Sequence, residues 1–297
     1  MQLNAVGKGK IVKDTVAGAT TGRSISIQGV TKVYGHGSAQ EFEALKPVSM
    51  EIKPGEFVSI VGPSGCGKST LMLMVAGLLP RSSGLIEIGD RAVTTAFTDV
   101  GIAFQDHLLL DFRTALDNVL LQADIRHIDK DLLRTRAVDL FRQLHLEKAT
   151  DKYPRQMSGG MRQRVSLIRT IVHEPPVLML DEPFGALDAL TRLQVRSDLE
   201  SLWLRNKPTV LFITHSVEEA VGLSDRIFVM SPSPGEIIEE ITVDLPRPRP
   251  ISLTGSPDFG KYADHIYALF EKMGVLHGIA PVAHGSGAQS APARSAQ

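Results

Sequence analysis

The chain has 297 residues, with 32 Lys and Arg against 33 Asp and Glu and a formal net charge of −1, so its charge balance does not mark a polyanion binder. Hydrophobic residues at 43% and charged residues at 22% allow a sizeable core and exclude disorder as the main state. The one cysteine, Cys66, excludes an internal disulfide and a multi-cysteine metal cage, and a reducing compartment fits it.

Residues 1–23 carry Lys8, Lys10 and Lys13 among scattered Gly and Thr, with no apolar segment behind them. They read as a flexible leader and not as a secretory signal. Ile25 and Ile27, then Val48, Met50 and Ile52, alternate with polar neighbours and predict half-exposed antiparallel strands. Phe57 to Val61 is a short, nearly all-apolar run, as are Val177 to Leu180, Val210 to Ile213 and Ile227 to Met230. Such runs are expected of strands covered on both faces of a parallel sheet. Leu71 to Leu79 is the longest nearly unbroken apolar stretch and contains Gly77. It falls far short of the roughly 20 residues that span a bilayer, so it reads as a buried helix.

Leu133, Ala137, Leu140, Phe141 and Leu144 recur at helical spacing behind Asp129, a candidate N-cap, and predict a helical insertion. Another helix is expected from about Ser158, stopped by Glu174-Pro175-Pro176. After Leu245 the run Pro246-Arg247-Pro248-Arg249-Pro250 reads as an extended linker. Ser256 and Pro257 then open a helix whose Tyr262, Ile266, Leu269, Phe270 and Met273 need a packing partner. From Gly278 onward the Gly, Ala, Ser, Pro and Gln content predicts disorder, and no internal repeat is found.

Gly62-Pro63-Ser64-Gly65-Cys66-Gly67-Lys68-Ser69-Thr70 fits the phosphate-binding pattern G-x-x-x-x-G-K-[ST], and it lies between a predicted strand and a predicted helix. Its glycines let backbone amides converge on phosphate oxygens beside a positive helix end. Lys68 would reach the β and γ phosphates, and Ser69 would ligate magnesium through its hydroxyl. Cys66 has two readings here: a thiol activated by the helix end, or a small filler, which is favoured because the loop works through its amides. Downstream, Val177 to Leu180 ends in Asp181-Glu182 at the same sheet edge, where Asp181 would hold the metal shell and Glu182 would polarise the attacking water. His215 ends the run Phe212-Ile213-Thr214 and is placed to contact the γ phosphate and orient the water with Glu182. Ser158, Gly159 and Gly160 ahead of a helix form a second anion-binding helix end.

Together these segments resemble the ATP-binding cassette (ABC) ATPases. Met157-Ser158-Gly159-Gly160-Met161-Arg162-Gln163-Arg164 is similar to the family's signature motif, with Met157 where leucine is usual. Gln105 in Ala103-Phe104-Gln105-Asp106 resembles the Q-loop, Gly185-Ala186-Leu187-Asp188 the D-loop, His215 the switch histidine and Tyr34 the adenine-stacking aromatic. The resemblance covers roughly residues 24 to 245, and its specificity rests on the whole ordered set.

The resemblance implies an α/β P-loop NTPase fold, a RecA-like core with an antiparallel β subdomain and an α-helical subdomain. Its expected limits are a 24–245 ATPase domain, with the helical part at about 106–170, a linker plus helix over 246–277 and a tail over 278–297. ATP and Mg2+ are the implied cofactors, with Gln105 joining Ser69 and Asp181 at the metal and Asp188 near the nucleotide. It further implies a homodimer in which Ser158 of one copy closes on the ATP held by Lys68 of the other. Leu-Pro-Arg-Pro-Arg-Pro at 245–250 and Phe112-Arg113-Thr114-Ala115-Leu116-Asp117-Asn118-Val119 look like the nitrate, sulfonate and taurine importer subfamily. A separate integral-membrane permease, indirectly a solute-binding protein, and a peripheral place on the cytoplasmic face of the inner membrane are then expected, with no nucleic-acid partner. The alternative is a soluble ABC-type ATPase acting on nucleic acid or as a regulator.

Overall fold

A computed structural model describes residues 22–37, 40–185 and 187–276 of the chain. The expected leader up to residue 21, the expected tail over 278–297, and Ala186 lie outside the described residues.

Strand β1 (Ile25–Tyr34) pairs antiparallel with β2 (Phe42–Ile52), Ile25 opposite Ile52 and Ile27 opposite Met50. Their alternating apolar residues are buried, which fixes the register because a one-residue slip would turn that set to solvent. Next come β3 (Phe57–Val61), α1 (Lys68–Val75), β4 (Ser83–Ile88) and the two-residue β5 (Arg91–Ala92). One sheet is antiparallel, in the order β2-β1-β4-β5.

The chain continues through β6 (Val100–Ala103), α2 (Ala115–Arg126), α3 (Lys130–Gln143), α4 (Gly159–Ile171) and β7 (Val177–Asp181). It then adds α5 (Ala189–Asn206), β8 (Thr209–Thr214), α6 (Val217–Leu223), β9 (Arg226–Met230), β10 (Ile237–Thr242) and α7 (Pro257–Lys272). The second sheet has the order β10-β9-β3-β8-β7-β6, parallel throughout except where β10 meets β9. Its residues alternate between two covered faces. Val58, Ile60, Met179, Leu211 and Ile213 join α1 and the antiparallel sheet, whereas Leu178, Leu180, Val210 and Phe212 join Leu199 and Trp203 of α5. Double coverage is why the sequence of these strands is apolar without alternation. Helices α2, α3 and α4 enclose a core of their own around Val119, Leu133, Phe141, Val165 and Ile168. Asp129 caps α3 and Ser158 caps α4, so both helices start where the sequence places them. Among the described residues no helix is long and apolar enough to cross a membrane.

The Pro-Arg run departs from the linker that its composition predicts. It forms neither helix nor strand and bends at 247–248, and it is fastened to the core. Arg249 is only 4% exposed. Its guanidinium donates to the carbonyl oxygens of Val221, Ser224, Val243 and Leu245, at 2.9, 2.7, 3.2 and 3.1 Å. Burial pushes its pKa down to about 10, which leaves it protonated at neutral pH. Arg247 pairs with Glu200 at 2.9 Å and Asp225 at 2.8 Å, and lies 4.3 Å over the Trp203 ring. The prolines keep the strap out of helix and sheet, and the arginines supply donors for carbonyls that α6 and its neighbours leave unpaired. Beyond the strap, α7 buries Phe259, Ile266 and Phe270 against α6 and β9. Replacing Arg249 by alanine should cost about 3 kcal/mol or more, because several buried acceptors lose their donor at once. Urea unfolding reads this as a lower midpoint at constant slope; a loss under about 1 kcal/mol would contradict the clamp.

Candidate active site

Strands β3, β6, β7 and β8 run parallel, so their carboxyl ends open on one edge, where ligands of open α/β sheets bind. From β3 comes the loop 62–67. Gly67 is the N-cap of α1 with φ of 100°, a left-handed conformation that favours glycine, and a Cβ there would lie 2.7 Å from Leu45 Cδ2. Backbone conformation and the close approach of β2 therefore both require glycine. Behind the loop, Lys68 is buried, and its ammonium donates to the carbonyls of Gly62 and Pro63 at 2.9 Å each. Ser64, Gly65 and Ser69 are exposed, so this end of α1 is open to a ligand.

Strand β7 delivers the two carboxylates to different neighbours. Asp181 Oδ1 accepts from Ser69 Oγ at 3.0 Å. Burial pushes the Asp181 carboxyl above its ordinary range, and the Glu182 charge adds to this, while the Ser69 hydroxyl and Lys68 oppose it. A cation beside it would therefore relieve a cost that the fold imposes. Glu182 has φ of 43°, a left-handed conformation costing on the order of 1 kcal/mol for a residue with a side chain. Its amide donates to Ile213 O at 2.9 Å, which holds the strained turn against β8. His215, one residue past β8, puts Nδ1 3.1 Å from Glu182 Oε2. A carboxylate against an imidazole at the mouth of a phosphate loop can take a proton from water and keep its own geometry while doing so.

Gln105 follows β6 on the adjacent strand, and its Nε2 would lie 3.9 Å from a Cβ built on Gly185. It thus flanks the 182–185 turn. Tyr34 is the last residue of β1, 40% exposed, with Lys32 Nζ 4.7 Å from its ring centroid. Burial pushes the Cys66 thiol up, opposed by Lys68, so the reactive-thiol reading loses its premise and the small filler fits.

Ser158 and Asp188 make their hydrogen bonds to their own helices. Ser158 Oγ accepts from Met161 N at 3.3 Å, and Asp188 Oδ1 accepts from Thr191 N at 3.0 Å. Gly159 is exposed at the start of α4, and a Cβ on Gly160 would come within 2.6 Å of Thr191 Cγ2, so the second glycine lets α4 and α5 approach. Sequence reasoning misses three residues beside the site, Arg192, Thr214 and Glu219. The one signal for them is Ser216 followed by Glu219 at capping-box spacing.

The ABC transporter family model matches residues 45–185. The aliphatic sulfonates import ATP-binding protein of Pectobacterium atrosepticum is 41% identical over 77% of this chain and 82% of its own. The taurine import ATP-binding protein of Rhizobium johnstonii is 40% identical over 76% of this chain and 88% of its own. Among solved structures, a dimeric ATP-binding cassette in a post-hydrolysis state bound to ADP and Pi is similar with a TM-score of 0.66 and 31% identity, over 74% of this chain and 98% of that one.

Proposed function

The chain belongs to the ABC transporter ATP-binding family, and from that premise we propose that two copies close head to tail over two ATP molecules and drive a separate membrane partner importing a small anion such as a sulfonate, taurine or nitrate. The chain is an ATP hydrolase coupled to transport. The observation that carries the reading is the pairing at one sheet edge of Ser69 with Asp181, at 3.0 Å, and of Glu182 with His215, at 3.1 Å.

In this reading the backbone N–H groups of the 62–70 loop, among them those of Ser64, Gly65, Cys66 and Thr70, surround the phosphates, Pro63 shapes the turn without a donor of its own, and Lys68 exchanges its two carbonyl partners for phosphate oxygens. Tyr34 stacks on the base. The donors of Ser69, Asp181 and Gln105 are hydroxyl, carboxylate and amide oxygens, a set that suits a hard cation, and Mg2+ bound there with ATP would neutralise phosphate charge. Glu182 accepts a proton from the attacking water, and His215 fixes Glu182 and the γ phosphate relative to each other. Ser158, Gly159 and Gly160 of one copy meet the ATP of the other, with Asp188 nearby. Similarity to a dimeric cassette supports that arrangement.

The membrane partner is assigned to the loop between β6 and α2. Phe112 is 76% exposed there, with Leu108 exposed beside it. Asn118, fully buried, accepts from Leu110 N at 2.7 Å and donates to the carbonyls of Leu110, Arg113 and Thr114 at 3.1, 3.1 and 2.9 Å, so this apolar knob is held stiffly. Arg169 of α4 donates to His107 O and Leu108 O at 2.9 and 2.6 Å. Motion of the helix that Ser158 opens therefore reaches the loop directly. The chain then sits peripherally at the cytoplasmic face, and a solute-binding protein acts on the partner's other side.

Tagged full-length chain recovered from native membranes should bring an integral-membrane protein with it, and duplex DNA or RNA should leave its ATP turnover unchanged. Stimulation by nucleic acid with no membrane protein recovered would overturn the transport reading in favour of a soluble ATPase.

A further inference from the structure

Beneath the loop that carries His215 lies a buried carboxylate with no part in the mechanism above. Glu219, in the first turn of α6, is 6% exposed. Its Oε2 accepts from Thr214 Oγ1 at 2.5 Å, and its Oε1 faces Arg192 Nε at 3.8 Å. Thr214 Oγ1 in turn accepts from Ser216 N at 3.0 Å, so the residues on both sides of His215 are tied to one carboxylate. Ser216 Oγ accepts from Glu219 N at 3.3 Å and closes the loop a second time. In a simple capping box the Glu219 side chain would return to Ser216 N. Here Thr214 occupies that amide, and Glu219 is left facing Arg192.

Arg192 sits in the first turns of α5, and its Nη2 donates to Leu187 O at 3.1 Å, directly ahead of Asp188. A chain of contacts therefore runs Leu187, Arg192, Glu219, Thr214 to His215. It joins the segment that faces the other copy in the proposed dimer to the histidine that holds Glu182. Burial pushes the Glu219 carboxyl up, while Thr214 and Arg192 oppose this, so the acid depends on these partners to stay charged. A helix cap alone needs no arginine. An imidazole that must keep 3.1 Å to Glu182 does need a fixed backbone, since small misplacements of catalytic groups cost rate steeply.

We propose that Glu219 is a positioning residue for His215 and that Arg192 transmits the placement of the 187–188 segment to it; this rests on the assignment of His215 and Glu182 above. The test uses full-length chain, saturating Mg-ATP and three readouts: kcat, KM and melting temperature. Glu219→Gln keeps the shape and an acceptor for Thr214 but loses the charge facing Arg192. It should lower kcat by about three- to thirty-fold, with KM and melting temperature nearly unchanged. Glu200→Gln is the control, an equally buried acid at 4% exposure, about two turns beyond Arg192 along α5 and held by Arg247 and Arg249, and it should lower the melting temperature while sparing kcat. In a His215→Ala background, Glu219→Gln should add nothing, because residues acting as a unit are not additive. If Glu219→Gln fails to fold, Arg192→Gln breaks the same link from the less buried side and should give the same kcat loss at constant KM. Wild-type kcat in the folded variant, an equal loss in Glu200→Gln, or a full multiplicative loss in the His215→Ala background would each overturn the proposal. Wild-type turnover by His215→Ala would instead overturn the underlying assignment of His215.

Discussion

Replacing Glu182 by glutamine should lower ATP turnover by about a hundred-fold or more while leaving ATP affinity close to wild type. Glutamine keeps the size and an oxygen for His215 Nδ1 at 3.1 Å, and it keeps the strained backbone, whose amide is held by Ile213 O. What it loses is the ability to take a proton. Because the phosphates are held by other groups, the nucleotide-bound state should persist and the closed dimer should accumulate, visible as an ATP-dependent doubling of mass in sedimentation. Wild-type turnover by this variant would remove Glu182 as the base.

Replacing Lys68 by alanine should act one step earlier, on binding. The ammonium is buried and satisfied by the Gly62 and Pro63 carbonyls, so the fold already accommodates its charge and offers it at the mouth of the loop. Charge-assisted hydrogen bonds contribute roughly 1.5–3 kcal/mol each. Losing one or two to phosphate should therefore weaken ATP binding by about 10-fold or more. Calorimetric titration with ATP checks this directly, and unchanged affinity in a folded variant would sink the phosphate-loop assignment. The two variants separate by design: Glu182→Gln binds without turning over, and Lys68→Ala fails to bind.

What the sequence reveals depends on whether the cause of a feature is local. Val177 to Leu180 and Val210 to Ile213 are legible as doubly covered strands because coverage writes itself into composition, and Asp181, Glu182 and His215 are legible because each sits where such a run ends. Ser158 and Asp129 are legible as caps because the helix they open follows immediately. Arg249 is not, because the carbonyls it satisfies belong to Val221, Ser224, Val243 and Leu245, and nothing in a Pro-Arg run distinguishes a strap from a spacer. Strand β10 escapes notice for a related reason: at the edge of the sheet its Glu239 and Glu240 interrupt the apolar pattern. Glu219 looks like an ordinary capping residue until Thr214 is seen occupying the amide it would have taken.

If hydrolysis at Glu182 powers a membrane partner, transport must follow the chemistry at that one carboxylate. Proteoliposomes containing the native membrane partner, isolated through a tag on this chain, and supplied with the solute-binding protein that acts on it, test this by uptake of labelled taurine, an alkanesulfonate and nitrate offered in turn. ATP-dependent uptake of one such anion should appear and should stop when Glu182→Gln replaces the wild-type chain. Uptake that proceeds at the same rate with the Glu182→Gln chain would contradict that dependence.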